Sequence, residues 1–258
     1  VATRLAVERA REVGLAAVGA VRCNHIGRLG EYSEMAARGG VIGFVTASGF
    51  GGQVAAAPFG GRTGLLGTNP LSFGFPSGDE TALLVDFATT AVAAGKIRVA
   101  RAKGTPLPPG SILDAAGNPT TDAEAFFRGG VMLPFGGHKG YALSLVVELL
   151  GRVLSGTDDY AEGNRGGAVY GHSGMVVFAI DPGLFRERSA YERDVDETLA
   201  RVKAVPPAPG FSEVLIPGEP EARAREQRQR DGVEIEAATV EAIRATGASL
   251  GLAADALL

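Results

Sequence analysis

A turn of Gly136-Gly137-His138-Lys139-Gly140 runs directly into a helical pattern that continues to Leu150, and no other stretch restricts the chain as much. Leu143, Val146, Val147 and Leu150 recur at i, i+3, i+4 and i+7, which predicts one buried helix face. The start of such a helix aims free backbone N–H groups and a positive dipole end at whatever lies in front of it. Lys139 adds a full charge there, so the turn reads as an anion cradle. It is not a P-loop, because Gly140 rather than Ser or Thr follows the lysine. The alternative is a tight loop whose glycines serve only to let a helix pack closely.

Thirty-eight glycines and no tryptophan in 258 residues point to many tight turns and a loop-rich sheet protein rather than a helical bundle. A hydrophobic content of 45% supports a sizeable core. The net charge of −4 leaves no basic excess to neutralise phosphates, so nucleic acid is not an expected partner. Cys23 is the sole cysteine, which excludes a disulfide framework and a cysteine-based zinc site, and no metal is expected. The apolar runs are short and broken by glycine, and no signal peptide opens the chain. A cytoplasmic protein with no membrane association is the expectation. The chain opens at Val1 inside a helical pattern with no preceding cap, which reads as a fragment of a longer chain.

Residues 1–13 read as a helix with Val1, Leu5 and Val13 as apolar positions and Gly14 as the stop. Leu15 to Val21 has strand length, a second helix ends near Arg38, and Val41 to Thr46 is the next strand. Asn24 and His25 thereby fall at a strand end ahead of a helix, a favoured ligand position in α/β proteins. Cys23 shares the side of His25 if the strand persists that far. Leu71 to Pro76 and Leu83 to Asp86 are further strands, and Gly95-Lys96-Ile97 opens a helix-like run. Asp86 and Thr89, at a strand terminus, suit ribose hydroxyls or the capping of the next helix. Pro106 to Pro119 is turn-rich, and Asp158 to Gly174 is a polar loop carrying an exposed His172. Met175 to Ile180 is a strand, Pro182 to Val202 a helix, and Val214 to Glu219 a strand and turn. Helices follow over about Glu219–Arg230 and Ala237–Leu250, and the arginines from Arg223 to Arg230 read as a solvated face.

Eight blocks then stand in a familiar order: Asn24-His25-Ile26-Gly27, Ala57-Pro58-Phe59-Gly60-Gly61, Gly67-Thr68-Asn69-Pro70, Asp86-Phe87-Ala88-Thr89-Thr90, Gly95-Lys96-Ile97, Asn118-Pro119-Thr120-Thr121-Asp122, Gly136-Gly137-His138-Lys139-Gly140-Tyr141 and Pro217-Gly218-Glu219. In this order, over essentially the whole chain, they resemble the malate/L-lactate dehydrogenase family of NAD(P)-dependent oxidoreductases. The resemblance implies an α/β fold of mixed type: a non-Rossmann nicotinamide-binding domain with a largely antiparallel mixed sheet and a flanking helical domain. The absence of a G-x-G-x-x-G turn between a strand and a helix agrees with this. It further implies residues 1–22 as the remainder of an N-terminal helical region, 23–217 as the cofactor-binding domain, and 218–258 as C-terminal helices returning to the helical domain.

By position, His25 resembles the family's active-site histidine. Ser48, Asp86, Phe87, Ala88, Thr89, Lys139, Gly218 and Glu219 resemble its cofactor-contacting blocks. The cofactor implied is NAD or NADP, the substrate a small 2-keto or 2-hydroxy acid or a cyclic 2-imino acid, and the assembly a homodimer. Family members also carry a leading Ser-His-Gly motif with a nearby arginine, and residues 1–22 contain no match to it. An incomplete copy, or an inactive nucleotide-binding remnant, is therefore the competing expectation. Hydride transfer at a 2-keto or 2-imino carbon builds charge on oxygen or shifts a proton at nitrogen, which suits a histidine for proton transfer. The substrate carboxylate wants a cation, for which Arg28 and Arg62 are the local candidates besides the unmatched N-terminal arginine. A Ser-His hydrolase is disfavoured, since no G-x-S-x-G elbow is present.

Overall fold

The computed structural model describes residues 1–49, 55–78, 83–157, 173–235 and 237–252. Helix α1 (Ala2–Val13) ends where Gly14 turns to φ 91 and donates its N–H to Ala10 O. Its buried stripe is Thr3, Ala6, Val7 and Ala10, whereas Val1, Leu5 and Val13 are exposed. The helix is thus where the pattern placed it, but it buries its small residues, which allow a close approach to the sheet.

That sheet has five strands in the order β1-β8-β2-β3-β4: β1 (Leu15–Cys23), β2 (Ile42–Gly49), β3 (Leu71–Phe75), β4 (Leu83–Phe87) and β8 (Ser173–Ile180). Every neighbouring pair is antiparallel. Because β8 is antiparallel to both β1 and β2, those two run parallel to each other with β8 inserted between them. Helix α2 (Gly30–Arg38) makes the crossover. One face of the sheet, with Val45, Met175, Val177 and Ala179, packs with α1 and α2 residues such as Ala6, Val7 and Ala36. The other face carries a ring ladder across three strands, with Phe44 stacked 4.5 Å from Phe73 and 5.6 Å from Phe178.

A second core gathers Ile97 of α3 (Ala94–Lys103), Ile112 of β5 (Ile112–Leu113), Ala123 of α4 (Ala123–Phe127) and Met132 of β7 (Val131–Met132). With β6 (Pro119–Thr120) these short strands form a sheet ordered β6-β5-β7. Ile97 and Ile112 are fully buried, each worth about 1.5–3 kcal/mol relative to exposure. Helix α5 (His138–Glu148) continues into a π-helical segment, Leu149–Leu154.

Helix α6 (Arg188–Lys203) follows a short 3-10 turn, Pro182–Leu184. The expected single helix over 182–202 is interrupted because Asp181 caps the turn through Gly183 N–H. Glu187 then starts a new helix by accepting from the N–H groups of Ser189 and Ala190. Helices α7 (Glu219–Asp231) and α8 (Ala237–Ser249) belong to a second compact unit, residues 219–258, distinct from the unit over 1–218.

Two further expectations change. The run 214–216 is not a strand; it meets β4 through Pro217 O, which accepts from Leu84 N–H. Of the helix face expected at Leu143, Val146, Val147 and Leu150, Val147 is buried and Leu150 half-buried, but the other two are not. Gly140, Ser144, Val147 and Glu148 turn inward, while Leu143 and Val146 are exposed. Two polar side chains therefore occupy the inner stripe. The expected polar loop with His172 lies outside the described residues for 158–172, and Ser173 and Gly174 already belong to β8.

Candidate active site

Thr89 ties three of the eight blocks together. It is fully buried, and both its N–H (3.0 Å) and its hydroxyl (3.1 Å) donate to Thr68 O. Its own carbonyl accepts from Phe135 N–H at 3.1 Å, one residue before the Gly136-Gly137 turn. Phe87, part-exposed at the end of β4, sets its ring edge-on to Phe135 at 5.5 Å. The Thr68-Asn69-Pro70 turn, the Asp86–Thr89 segment and the head of α5 thus form one joint. The Thr89 hydroxyl is committed to holding that joint.

The head of α5 has the form of an anion cradle. Gly137, at φ 63 and ψ −125, is the N-cap, and no side chain caps the helix. Such a helix start offers backbone N–H groups without intrahelical partners. His138 and Lys139 are exposed, and Phe59 packs edge-on to the His138 ring at 6.0 Å. Gly140 answers to packing instead: a Cβ there would sit 2.0 Å from Phe135 O.

Behind this head lies a polar seam that the residue pattern did not reveal. Asn69 is 1% exposed, and its amide nitrogen donates to Ser144 O (3.0 Å), Ser144 Oγ (3.2 Å) and Glu148 Oε2 (2.9 Å). Glu148 Oε1 accepts from Arg152 Nε at 2.5 Å. Asn69 Oδ1 is buried without a partner among the described residues. Ser48 lies under the same helix, buried, with its hydroxyl 3.4 Å from Glu148 O. The available signal was an acid inside the apolar run Leu145-Val146-Val147-Glu148-Leu149-Leu150.

Asp86 Oδ2 accepts from Gly30 N–H at 2.8 Å, the first residue of α2. This carboxylate thus meets the start of a helix earlier in the chain, not the next helix, whose capping was one of the two expected roles. It sits where the loop that carries His25 enters α2, and in that loop Ile26 O accepts from Tyr32 Oη at 2.7 Å. His25 is exposed, and its Nδ1 accepts from Gly27 N–H at 3.0 Å. With that lone pair engaged, the neutral ring carries its hydrogen on Nε2 and presents a donor outward. Strand β1 ends at Cys23, so the shared side expected for Cys23 and His25 does not arise; burial pushes the Cys23 thiol up from its ordinary range.

Arg22 (φ 58) and Asn69 (φ 39) are the non-glycine residues with positive φ among the described residues. Each such conformation costs on the order of 1–3 kcal/mol and persists only where its surroundings enforce it. One precedes His25 by three residues and the other sits in the Thr68 turn. Gly218, at φ 94, is held beside Leu84 of β4, where a Cβ would lie 2.9 Å from Leu84 Cβ. Glu219 begins α7 and pairs with Arg223 at 2.5 Å. Of the arginines considered for a carboxylate, Arg28 is engaged by Glu34 at 2.8 Å, and Arg62 is exposed with its stem toward Gly117. No group of three or more metal-ligating side chains occurs among the described residues, and no helix among them is long and apolar enough to cross a membrane.

The family described as malate/L-lactate dehydrogenase matches residues 1–244. The chain is 43% identical over 225 residues to an L-lactate dehydrogenase of Cupriavidus necator, covering 86% of this chain and 64% of that protein. It is 37% identical over 248 residues to a Δ1-pyrroline-2-carboxylate reductase of Ancylobacter novellus, covering 93% and 69%. The solved sulfolactate dehydrogenase of Methanocaldococcus jannaschii superposes with a TM-score of 0.85 at 36% identity, over 99% of this chain and 73% of that one. The chain therefore spans about two thirds of the length of such curated relatives. With its mixed α/β architecture built on an antiparallel sheet, it belongs to the malate/L-lactate dehydrogenase family.

Proposed function

We propose that this chain serves an NAD(P)-dependent oxidoreductase that moves hydride between a nicotinamide and a small 2-hydroxy/2-keto acid or cyclic 2-imino acid. The observation that carries the reading is the joint at Thr89, which gathers the Thr68 turn, the Asp86–Thr89 segment and the uncapped head of α5. The names of the relatives supply the substrate classes: lactate, sulfolactate and pyrroline-2-carboxylate.

The residues present fit a dinucleotide. The start of α5 offers backbone N–H groups and the Lys139 charge to a pyrophosphate. Phe87 lies beside Phe135 as an apolar margin with Ala88 next to it in the chain, and Gly218 adjoins the same strand as Asp86. Bound there, a nicotinamide supplies or accepts the hydride. His25 would stabilise the oxygen or nitrogen on which charge develops by a hydrogen bond from Nε2–H, with the proton of the product drawn from solvent. Because Nδ1 already accepts from Gly27, a role as full proton carrier would cost that hydrogen bond. Ser48 and Thr89 shape the site from beneath, through the seam and the joint. The family resemblance further suggests a homodimer.

Titration with NADH and NADPH, followed by nicotinamide fluorescence, tests the reading. Saturable binding of at least one is expected; a folded chain that binds neither overturns it. Binding with no turnover of any 2-keto or 2-imino acid would favour a nucleotide-binding chain without its own chemistry.

A further inference from the structure

Strand β1 pairs with β8 in unbroken register from Leu15↔Ile180 to Ala20↔Met175, then resumes at Cys23↔Ser173. Val21 and Arg22 therefore stand opposite Gly174 alone, a bulge of two residues against one. Such an insertion bends its strand and re-aims the residues beyond it. The bend here is held by Arg22 in the left-handed region, and the next residues out of the sheet are Asn24 and His25.

Thr157 fills the break in the ladder from a part of the chain 135 residues away. It is fully buried. Its hydroxyl accepts from Arg22 N–H at 3.1 Å and donates to Ser173 O at 3.1 Å, bridging the two strands where their own bonding is interrupted. The π segment presses into the same spot: a Cβ on Gly174 would lie 2.2 Å from both Gly151 O and Ser155 Oγ. A β-branched side chain is stiff at χ1, so the threonine methyl helps fix where the hydroxyl points.

We propose that Thr157 is a positioning residue for His25, its hydroxyl holding the Val21–Arg22 bulge in the form that delivers the histidine to the site. The importance of His25 rests on the function proposed above, but the bulge and its Thr157 bridge do not. Thr157 touches no reacting atom; it acts through the backbone of Arg22.

The test is Thr157→Val, which keeps the shape and removes both hydrogen bonds, with Thr157→Ser as the variant that keeps the hydroxyl. The readout is the ¹⁵N spectrum of the His25 ring, identified by its loss in His25→Gln, together with hydrogen exchange at the Arg22 amide. Wild type and Thr157→Ser should show the Nε2–H tautomer and a protected Arg22 amide. In Thr157→Val the ring signals should shift toward a mixture of tautomers, and the amide should exchange at the rate of an open loop. A folded Thr157→Val protein of lowered thermal stability but unchanged His25 signals would overturn the proposal, since a merely structural threonine gives that result. Loss of the His25 signature in Thr157→Ser as well would also overturn it, by showing that packing rather than the hydroxyl matters. Should Thr157→Val not fold, rapid exchange of Arg22 in the wild type overturns the bridge and slow exchange supports it. None of these readings needs cofactor or turnover, so they fail or succeed independently of the oxidoreductase assignment.

Discussion

Replacing Asn69 by alanine should weaken the fold measurably although the residue lies in a turn. Its amide nitrogen serves Ser144 O, Ser144 Oγ and the buried Glu148 carboxylate. A hydrogen bond to a charged group is worth about 1.5–3 kcal/mol and a neutral one about 0.5–1.5 kcal/mol. Part of this returns, because alanine also removes the buried, unpartnered Oδ1. No backbone relief comes with it, since alanine tolerates φ 39 less well than asparagine. The net loss should be about 2–3 kcal/mol. Asn69→Gly should recover about 1 kcal/mol of that by accepting the left-handed backbone. Asn69→Asp should be the most damaging near neutral pH, because it sets a second carboxylate against Glu148. Its deficit should shrink on acidification, when one of the two carboxyls takes up a proton and becomes a donor. Urea unfolding at equilibrium, read by circular dichroism, measures these differences through the midpoint at constant m. An Asn69→Ala protein within about 0.5 kcal/mol of wild type, the range of an ordinary surface substitution, would refute the view that the seam holds the Thr68 turn to α5.

Lys139→Ala should raise the Kd for the nicotinamide dinucleotide by about ten-fold, the worth of one charge-assisted contact, and by less at high salt; an unchanged Kd would leave the turn to packing alone. His25→Ala should lower turnover by more than it lowers cofactor affinity, measured as separate changes in kcat and Kd, and an unchanged kcat would remove the histidine from the chemistry. Since burial raises the Cys23 thiol, less of it is thiolate at any mildly alkaline pH, and it should react with a disulfide reagent more slowly than free cysteine at pH about 8; equal rates would contradict its burial.

Periodicity found most of the elements, because a helix or strand with a buried face writes its period into the chain: α1, β1, α2, β3, β4 and α8 lie close to where the pattern set them. It misassigned a face where buried positions are polar: in α5 Ser144 and Glu148 displace Leu143 and Val146. Glu148 goes inward because Arg152 and Asn69 satisfy its carboxylate, and those partners lie on different elements. The 3-10 break at Pro182–Leu184 depends on a Glu187 cap that a helical pattern conceals. At the site, the block order was legible while the joint at Thr89 was not, since it rests on backbone groups that carry no residue code. Thr157 escaped notice for the same reason: its meaning comes from a bulge 135 residues earlier.

The most direct test of the central claim is deuteride transfer. The protein is incubated with NADH or NADPH carrying deuterium at both C4 positions and a panel of small 2-keto acids and cyclic 2-imino acids, and products are read by mass spectrometry. The expected product is a 2-hydroxy or cyclic 2-amino acid labelled at C2, with the label lost from the cofactor in equal amount. Its yield should fall in His25→Ala and in Lys139→Ala. A protein that binds the reduced cofactor yet leaves all the deuterium on it, with every member of the panel, would contradict the claim.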